Sequence, residues 1–217
     1  MGYLVFKDLL LQKRMLFLAF AYVLLFSFAF QSLGEGRLIA IITAVGYMFV
    51  MTGAAWEEKN NSDVLWNSLP VAKWKVVASK YLSIFAYVAI VVPICYLVST
   101  TLSLVGLAAL SISIDFISIV VGTVTVFIAA SLYLPVFFAV GYLRSRYWHF
   151  GLFLGIMVLG SALPNLIPAG PPQIEPFLEK LSQANEIEIA AAGGVGVAVL
   201  VAISFLLSVR FYRRREF

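Results

Sequence analysis

The sequence holds one cysteine and one histidine among 217 residues, and only 12% of it is charged. Its six long apolar runs cover residues 15–31, 38–55, 81–104, 116–143, 148–166 and 189–209, and none carries an ionisable side chain at its middle. Each scarcity excludes something. Cys95, alone within the third run, allows no intramolecular disulfide and no thiolate metal cluster. His149 lies at the inner end of the fifth run and reads as an interfacial residue. By itself it supplies neither a metal site, which needs several convergent ligands, nor a catalytic triad. There is no HExxH, no GxSxG and no paired buried carboxylate in the sequence pattern. Gly193-Gly194-Val195-Gly196 lacks the Lys-Ser/Thr of a phosphate loop and falls inside a run, so it reads as a packing feature. Carriers driven by protons or ions place ionisable groups inside the bundle, because charge movement requires them. Here Arg37 and Asp115 fall at the outer boundaries, which leaves open only a sodium site built of carbonyls.

What is present is apolar surface. Hydrophobic residues make up 62% of the chain and the mean hydropathy is +0.99, far above a soluble domain. A spanning helix needs about 20 mostly apolar residues. The fold class expected is therefore an all-α integral membrane protein of six transmembrane helices, with residues 1–217 forming one membrane domain. The first run follows Lys13-Arg14 and lacks a small-residue cleavage site, so it reads as a retained helix and not a signal peptide. Phe6 stands where myristoylation needs Ser or Thr.

Charge placement orients the bundle. With the N-terminus inside, 13 of the 15 basic residues fall on inner segments, leaving Arg37 and Lys180 outside, whereas the acidic residues split five inside and six outside. Basic asymmetry sets orientation, so both termini are expected in the cytoplasm. The basic excess reports topology and anionic lipid, not nucleic acid. Trp56, Trp66, Trp74 and Trp148 all fall in or beside inner segments, as an interfacial aromatic belt requires, although Trp66 sits mid-loop.

Residues 4–14 alternate Val5, Leu9, Leu10 and Leu11 with Lys7, Asp8, Gln12 and Lys13. This spacing suits an amphipathic helix on the inner surface that then turns into the membrane; a charged start to helix one is the plainer alternative. Pro164, Pro168, Pro171, Pro172 and Pro176 break the end of helix five, and the outer segment 167–188 holds a short amphipathic stretch from Pro176, which either caps a pathway or rests on lipid. Pro93 and Pro135 predict kinks in helices three and four. Gly151 and Gly155, and the stripe Ala190, Gly194, Ala198 and Ala202, are the expected close-packing positions, within the chain or across a dimer.

The inner segment 57–80 is the longest between spans. Asn61 or Ser62 suits a helix cap, and Asp63 its positive first turn. Val64, Leu65, Trp66 and Leu69 give an apolar surface, and Pro70 ends it. Such a helix is shaped to enter a groove on a cytoplasmic partner, or to rest on lipid.

The Lys7-Asp8-Leu9-Leu10 start, the six runs, and Glu57-Glu58-Lys59 followed by Asn67-Ser68-Leu69-Pro70-Val71 and Lys80-Tyr81 together resemble the permease subunits of ABC-2 type transporters. The likeness is greatest to small bacterial members that export peptide toxins and antimicrobial peptides, such as phenol-soluble modulin exporters. It implies a multi-pass protein of the bacterial cytoplasmic membrane, without a catalytic site of its own. It implies that ATP and Mg are bound by a separate ABC ATPase, that two permease copies assemble as a homo- or heterodimer, and that amphipathic peptides or lipophilic compounds are exported. It further implies that Glu57, Glu58, Asp63, Leu65, Trp66 and Leu69 form the segment coupling the permease to that ATPase. An immunity or sensor protein that sequesters a toxin without ATP, or an ion-gradient carrier, are the alternatives.

Overall fold

A computed structural model of the chain describes residues 2–60, 72–107, 110–145, 147 and 186–214. Among them every regular element is helical: α1 (Gly2–Leu11), α2 (Lys13–Ala29), a 3-10 turn (Gln31–Gly36), α3 (Arg37–Lys59), α4 (Lys73–Leu104), α5 (Phe116–Val140) and α6 (Glu186–Arg214). Four helices are long and apolar enough to cross a membrane: α3, α4, α5 and the 193–214 part of α6. The pair α1 and α2 passes the same test only if taken together, across a bend of 69° at Gln12. The fifth apolar run, 148–166, and most of the outer segment 167–188 lie outside the described residues.

The elements begin and end where local chemistry places them. Asp115 caps α5 by accepting the Ser118 N–H at 2.8 Å. That backbone bond, joined by the Ser118 hydroxyl, holds the Asp115 carboxyl below its ordinary range. Gly141 ends α5 at φ +81, a left-handed conformation that glycine adopts without penalty. α4 and α5 each continue through a proline, Pro93 and Pro135. At 1.5 Å per residue α4 is about 48 Å long, well beyond the roughly 30 Å hydrocarbon core, so its first turns stand outside that layer.

Burial follows the helical period. Leu38, Ile41, Ile42, Val45 and Phe49 on α3, Ile84, Val88, Val91, Cys95 and Val98 on α4, and Val126, Ala130, Leu134 and Phe138 on α5 form one core. α3 and α5 approach closely. A Cβ on Gly122 would stand 3.0 Å from both Cβ and Cγ2 of Ile42, and one on Gly46 3.1 Å from Val126 Cγ2. Each helix thus offers a glycine to the other's branched side chain. These contacts pair 42 with 122 and 46 with 126, so α3 and α5 run parallel. α6 is parallel to α5 as well: Ser204 bonds the Ser131 carbonyl at 2.6 Å, and Tyr212 meets Phe138 at 5.3 Å between rings.

Of the small residues singled out in the sequence, three on α6 have described surroundings. Gly194 has open space where a Cβ would stand, and Ala198 and Ala202 line a cleft. Ala190 sits in the first turns of α6, while Gly151 and Gly155 lie outside the described residues. α6 meets the bundle instead through Ser204, Ser208 and Tyr212, buried one turn apart. Replacing Gly122 with Val is therefore expected to lower the thermal midpoint in detergent, by an overpacking cost of about 1–3 kcal/mol, and Ile42→Ala in the same chain to restore part of it. A size-exclusion melting series on the single and double variants checks this.

Candidate functional site

The first turns of α4 and the last turn of α3 flank the segment 61–71, which itself lies outside the described residues. Both flanks meet α1. Lys80 on α4 sets its ammonium 2.9 Å from Asp8 Oδ1 and 2.8 Å from Glu57 Oε1; Lys7 sets its own 3.1 Å from Asp8 Oδ1 and 2.6 Å from Glu57 Oε1. Two cations and two anions thus alternate around a four-cornered ring drawn from three helices. The Asp8 side chain is 1% exposed and that of Glu57 4%, whereas Lys7 keeps 23%. Ser83 satisfies the other Asp8 oxygen at 3.0 Å. Charges withdrawn from water need partners of opposite sign and further hydrogen bonds, and the ring supplies both.

One turn onward, the α1–α2 break is fixed by a second set of bonds. Gln12 is buried, and its amide donates to the Phe49 carbonyl at 3.0 Å and to the Tyr87 hydroxyl at 2.8 Å. Gly53 makes room for it: a Cβ there would stand 2.7 Å from Gln12 Nε2. The polar side of α1 therefore faces the bundle, and Tyr3, Phe6 and Leu10 face outward. This corrects the sequence expectation for the helix. Its boundaries are close to those expected, but its charges meet other charges and not water, because Glu57 and Lys80 stand at matching depth on the neighbouring helices.

Of the residues expected to couple the chain to a partner, Glu57 and Glu58 are described and both are engaged within the chain. Glu57 belongs to the ring. Glu58 accepts the N–H groups of Tyr142 and Leu143, the latter at 3.3 Å, and so ties the end of α3 to the chain just past Gly141. Asp63, Leu65, Trp66 and Leu69 lie outside the described residues. At the same end Lys59 rests over the Trp56 ring at 4.9 Å. In the sequence Glu57 and Lys80 border apolar runs while Lys7 and Asp8 lie on α1, ahead of the first run, and spacing along one helix does not reveal that the four meet.

On the side of the bundle α4, α5 and α6 form an open cleft of about 580 Å³, lined by Ala78, Tyr81, Leu82, Phe85, Phe127, Ala198, Val201, Ala202 and Phe205. The Tyr81 hydroxyl is engaged with Ser204 at 2.7 Å and Ser208 at 3.2 Å, which leaves the walls apolar. At the opposite end of the bundle Arg37 donates to the Ser111 and Gln31 carbonyls, both at 3.1 Å. Ser99 closes the neighbouring loop by bonding both polar groups of the Ile112 backbone at 3.0 Å. Among the described residues no group of His, Cys, Asp and Glu could hold a metal ion.

A family model described as ABC-2 family transporter protein matches residues 3–213. No curated protein and no solved structure matches the chain.

Breaking the ring on one side leaves a buried charge without its partner, which costs about 3–5 kcal/mol. Lys80→Met is thus expected to lower the thermal midpoint of the purified chain far more than Lys59→Met, whose ammonium rests on an aromatic ring. Gly53→Ala is expected to loosen the α1–α2 break by displacing Gln12, seen as faster proteolysis within α1. Equal melting of the two lysine variants would contradict the ring's structural weight.

Proposed function

The chain belongs to the ABC-2 family of transporter proteins, and from that premise we propose that it exports amphipathic peptides or other lipophilic compounds, driven by a separate ATPase. The coarser part follows from membership: it is a permease subunit in a multi-pass membrane setting, and an ABC ATPase is its partner. The finer part is the proposal. ATP and Mg bind on that partner, two permease copies assemble, and the protein works in the bacterial cytoplasmic membrane with six spans and both termini inside. The parallel course of α5 and α6, each ending toward the basic end of the molecule, is what six spans with both termini inside would give. The concentration of lysine and arginine there supports a cytoplasmic assignment for that end.

The observation that carries the coupling reading is that both flanks of the segment 61–71 are bound to α1 through one ring. A force applied to that segment by a partner therefore acts on α1, α3 and α4 together. In this reading Leu65, Trp66 and Leu69 make the apolar contact with the ATPase, and Asp63 starts the contacting helix. Glu57 and Glu58 are positioning residues that hold the root of the segment against α1 and the end of α5. ATP binding closes the ATPase pair, moves the segment and shifts the bundle between two access states; that shift requires docking to differ between the states. The apolar cleft supports a substrate with an acyl or apolar helical face, entering from the bilayer.

The test is to purify the chain with its partner and measure ATP turnover and export in the same vesicles. Trp66→Ala and Leu69→Ala are expected to lower transport per ATP by about tenfold, the scale on which truncating a buried interface anchor acts, with membrane insertion unchanged. An unchanged ratio in both variants would sink the coupling assignment.

A further inference from the structure

α6 presents two faces near its C-terminal end. Ser204, Ser208 and Tyr212 turn inward: the hydroxyls meet Tyr81, and the Tyr212 ring meets Phe138 and the Lys73 ammonium, the latter at 5.7 Å. At 3.6 residues per turn, residues 206, 209, 210, 213 and 214 share the opposite side. That side lines a second cleft, of about 400 Å³, whose described walls are Leu206, Val209, Arg210, Arg213 and Arg214. All three arginines are exposed, and among the described residues none of them meets a carboxylate. Below them the same side of the helix continues as exposed Ile203 and Val199, the surface a spanning helix gives to acyl chains. The cleft thus has an apolar floor continuous with a lipid-facing stripe and a rim of three guanidinium groups. Guanidinium matches phosphate oxygens in pairs of parallel hydrogen bonds, which gives a defined seat in place of diffuse attraction.

We propose that this cleft binds one anionic phospholipid, with the phosphate of its headgroup on Arg210, Arg213 and Arg214 and an acyl chain against Leu206. The site is independent of the coupling reading, since none of its described residues belongs to the ring or to the segment 61–71.

The experiment places the full-length chain, with its ATPase where the two copurify, in nanodiscs of equal phosphatidylglycerol and phosphatidylcholine. The lipids retained after release are counted by native mass spectrometry. The unaltered protein is expected to keep one phosphatidylglycerol in preference to phosphatidylcholine by about fivefold or more, the preference three basic groups near a surface support. Arg210→Gln/Arg213→Gln/Arg214→Gln loses the preference. Leu206→Trp, which puts a bulky ring where the acyl chain would lie while keeping all three charges, loses it too. Added inorganic phosphate at matched ionic strength leaves the lipid in place. Because the four residues are exposed, both variants are expected to melt like the unaltered protein, which a detergent melting curve verifies. Retention by the triple variant would overturn the proposal. So would full retention by Leu206→Trp, which would mean diffuse attraction without a seat, or displacement by phosphate, which would mean a site for free anions.

Discussion

The ring of Lys7, Asp8, Glu57 and Lys80 is the constraint to which the rest of this end of the molecule conforms. Four charges near a low-dielectric layer are tolerable only when each cation has two anions beside it and the remaining lone pairs are met. Meeting that condition fixes the depth of α1 against α4 and the rotation of α3, whose last turn has to present Glu57 inward. With α3 so rotated, Gly53 faces Gln12 and Phe49 stacks on Tyr87 at 5.4 Å between rings. The 69° bend between α1 and α2 is therefore held by partners on two other helices, not by its own sequence.

From that end the packing proceeds by shape. α3 and α5 lie in contact through reciprocal glycine and branched side chains, and α6 lies on α5 through hydroxyls and one tyrosine. Dispersion and close backbone approach hold helices together in lipid, where apolar burial offers no advantage over the bilayer itself. The two regimes divide the bundle: electrostatic pairing organises the basic end, and steric fit organises the length of the spans. The apolar cleft is lined by α4, α5 and α6.

Much of the architecture was legible in the sequence. Hydropathy located α3, α4, α5 and α6, placed Cys95 inside a span, and put Asp115 at the start of one. Periodicity found α1. The tertiary consequences were less visible. Lys7 and Asp8 read as the polar side of a surface helix, Glu57 as part of a coupling segment and Lys80 as the flank of that segment, since nothing in a single helix shows that three helices bring these charges to one point. Small residues show the same limit. The regular stripe on α6 stood out because it repeats, whereas Gly46, Gly53 and Gly122 are irregularly spaced glycines whose meaning comes from Val126, Gln12 and Ile42 on other elements. The segment 61–71 was legible only as chemistry suited to docking.

The ring also imposes an order on assembly. Asp8 and Lys80 are 72 residues apart, so a ribosome adding about 5–20 residues per second makes the lysine some 4–14 s after the aspartate. Through that interval α1 has at most part of the ring, Lys7 with Asp8 and then Glu57 on α3, and Asp8 still lacks Lys80. The leading helix of the chain thus reaches its final place only once α4 has been made. A membrane chaperone or the insertion machinery has a natural reason to hold this N-terminal arm until α4 arrives.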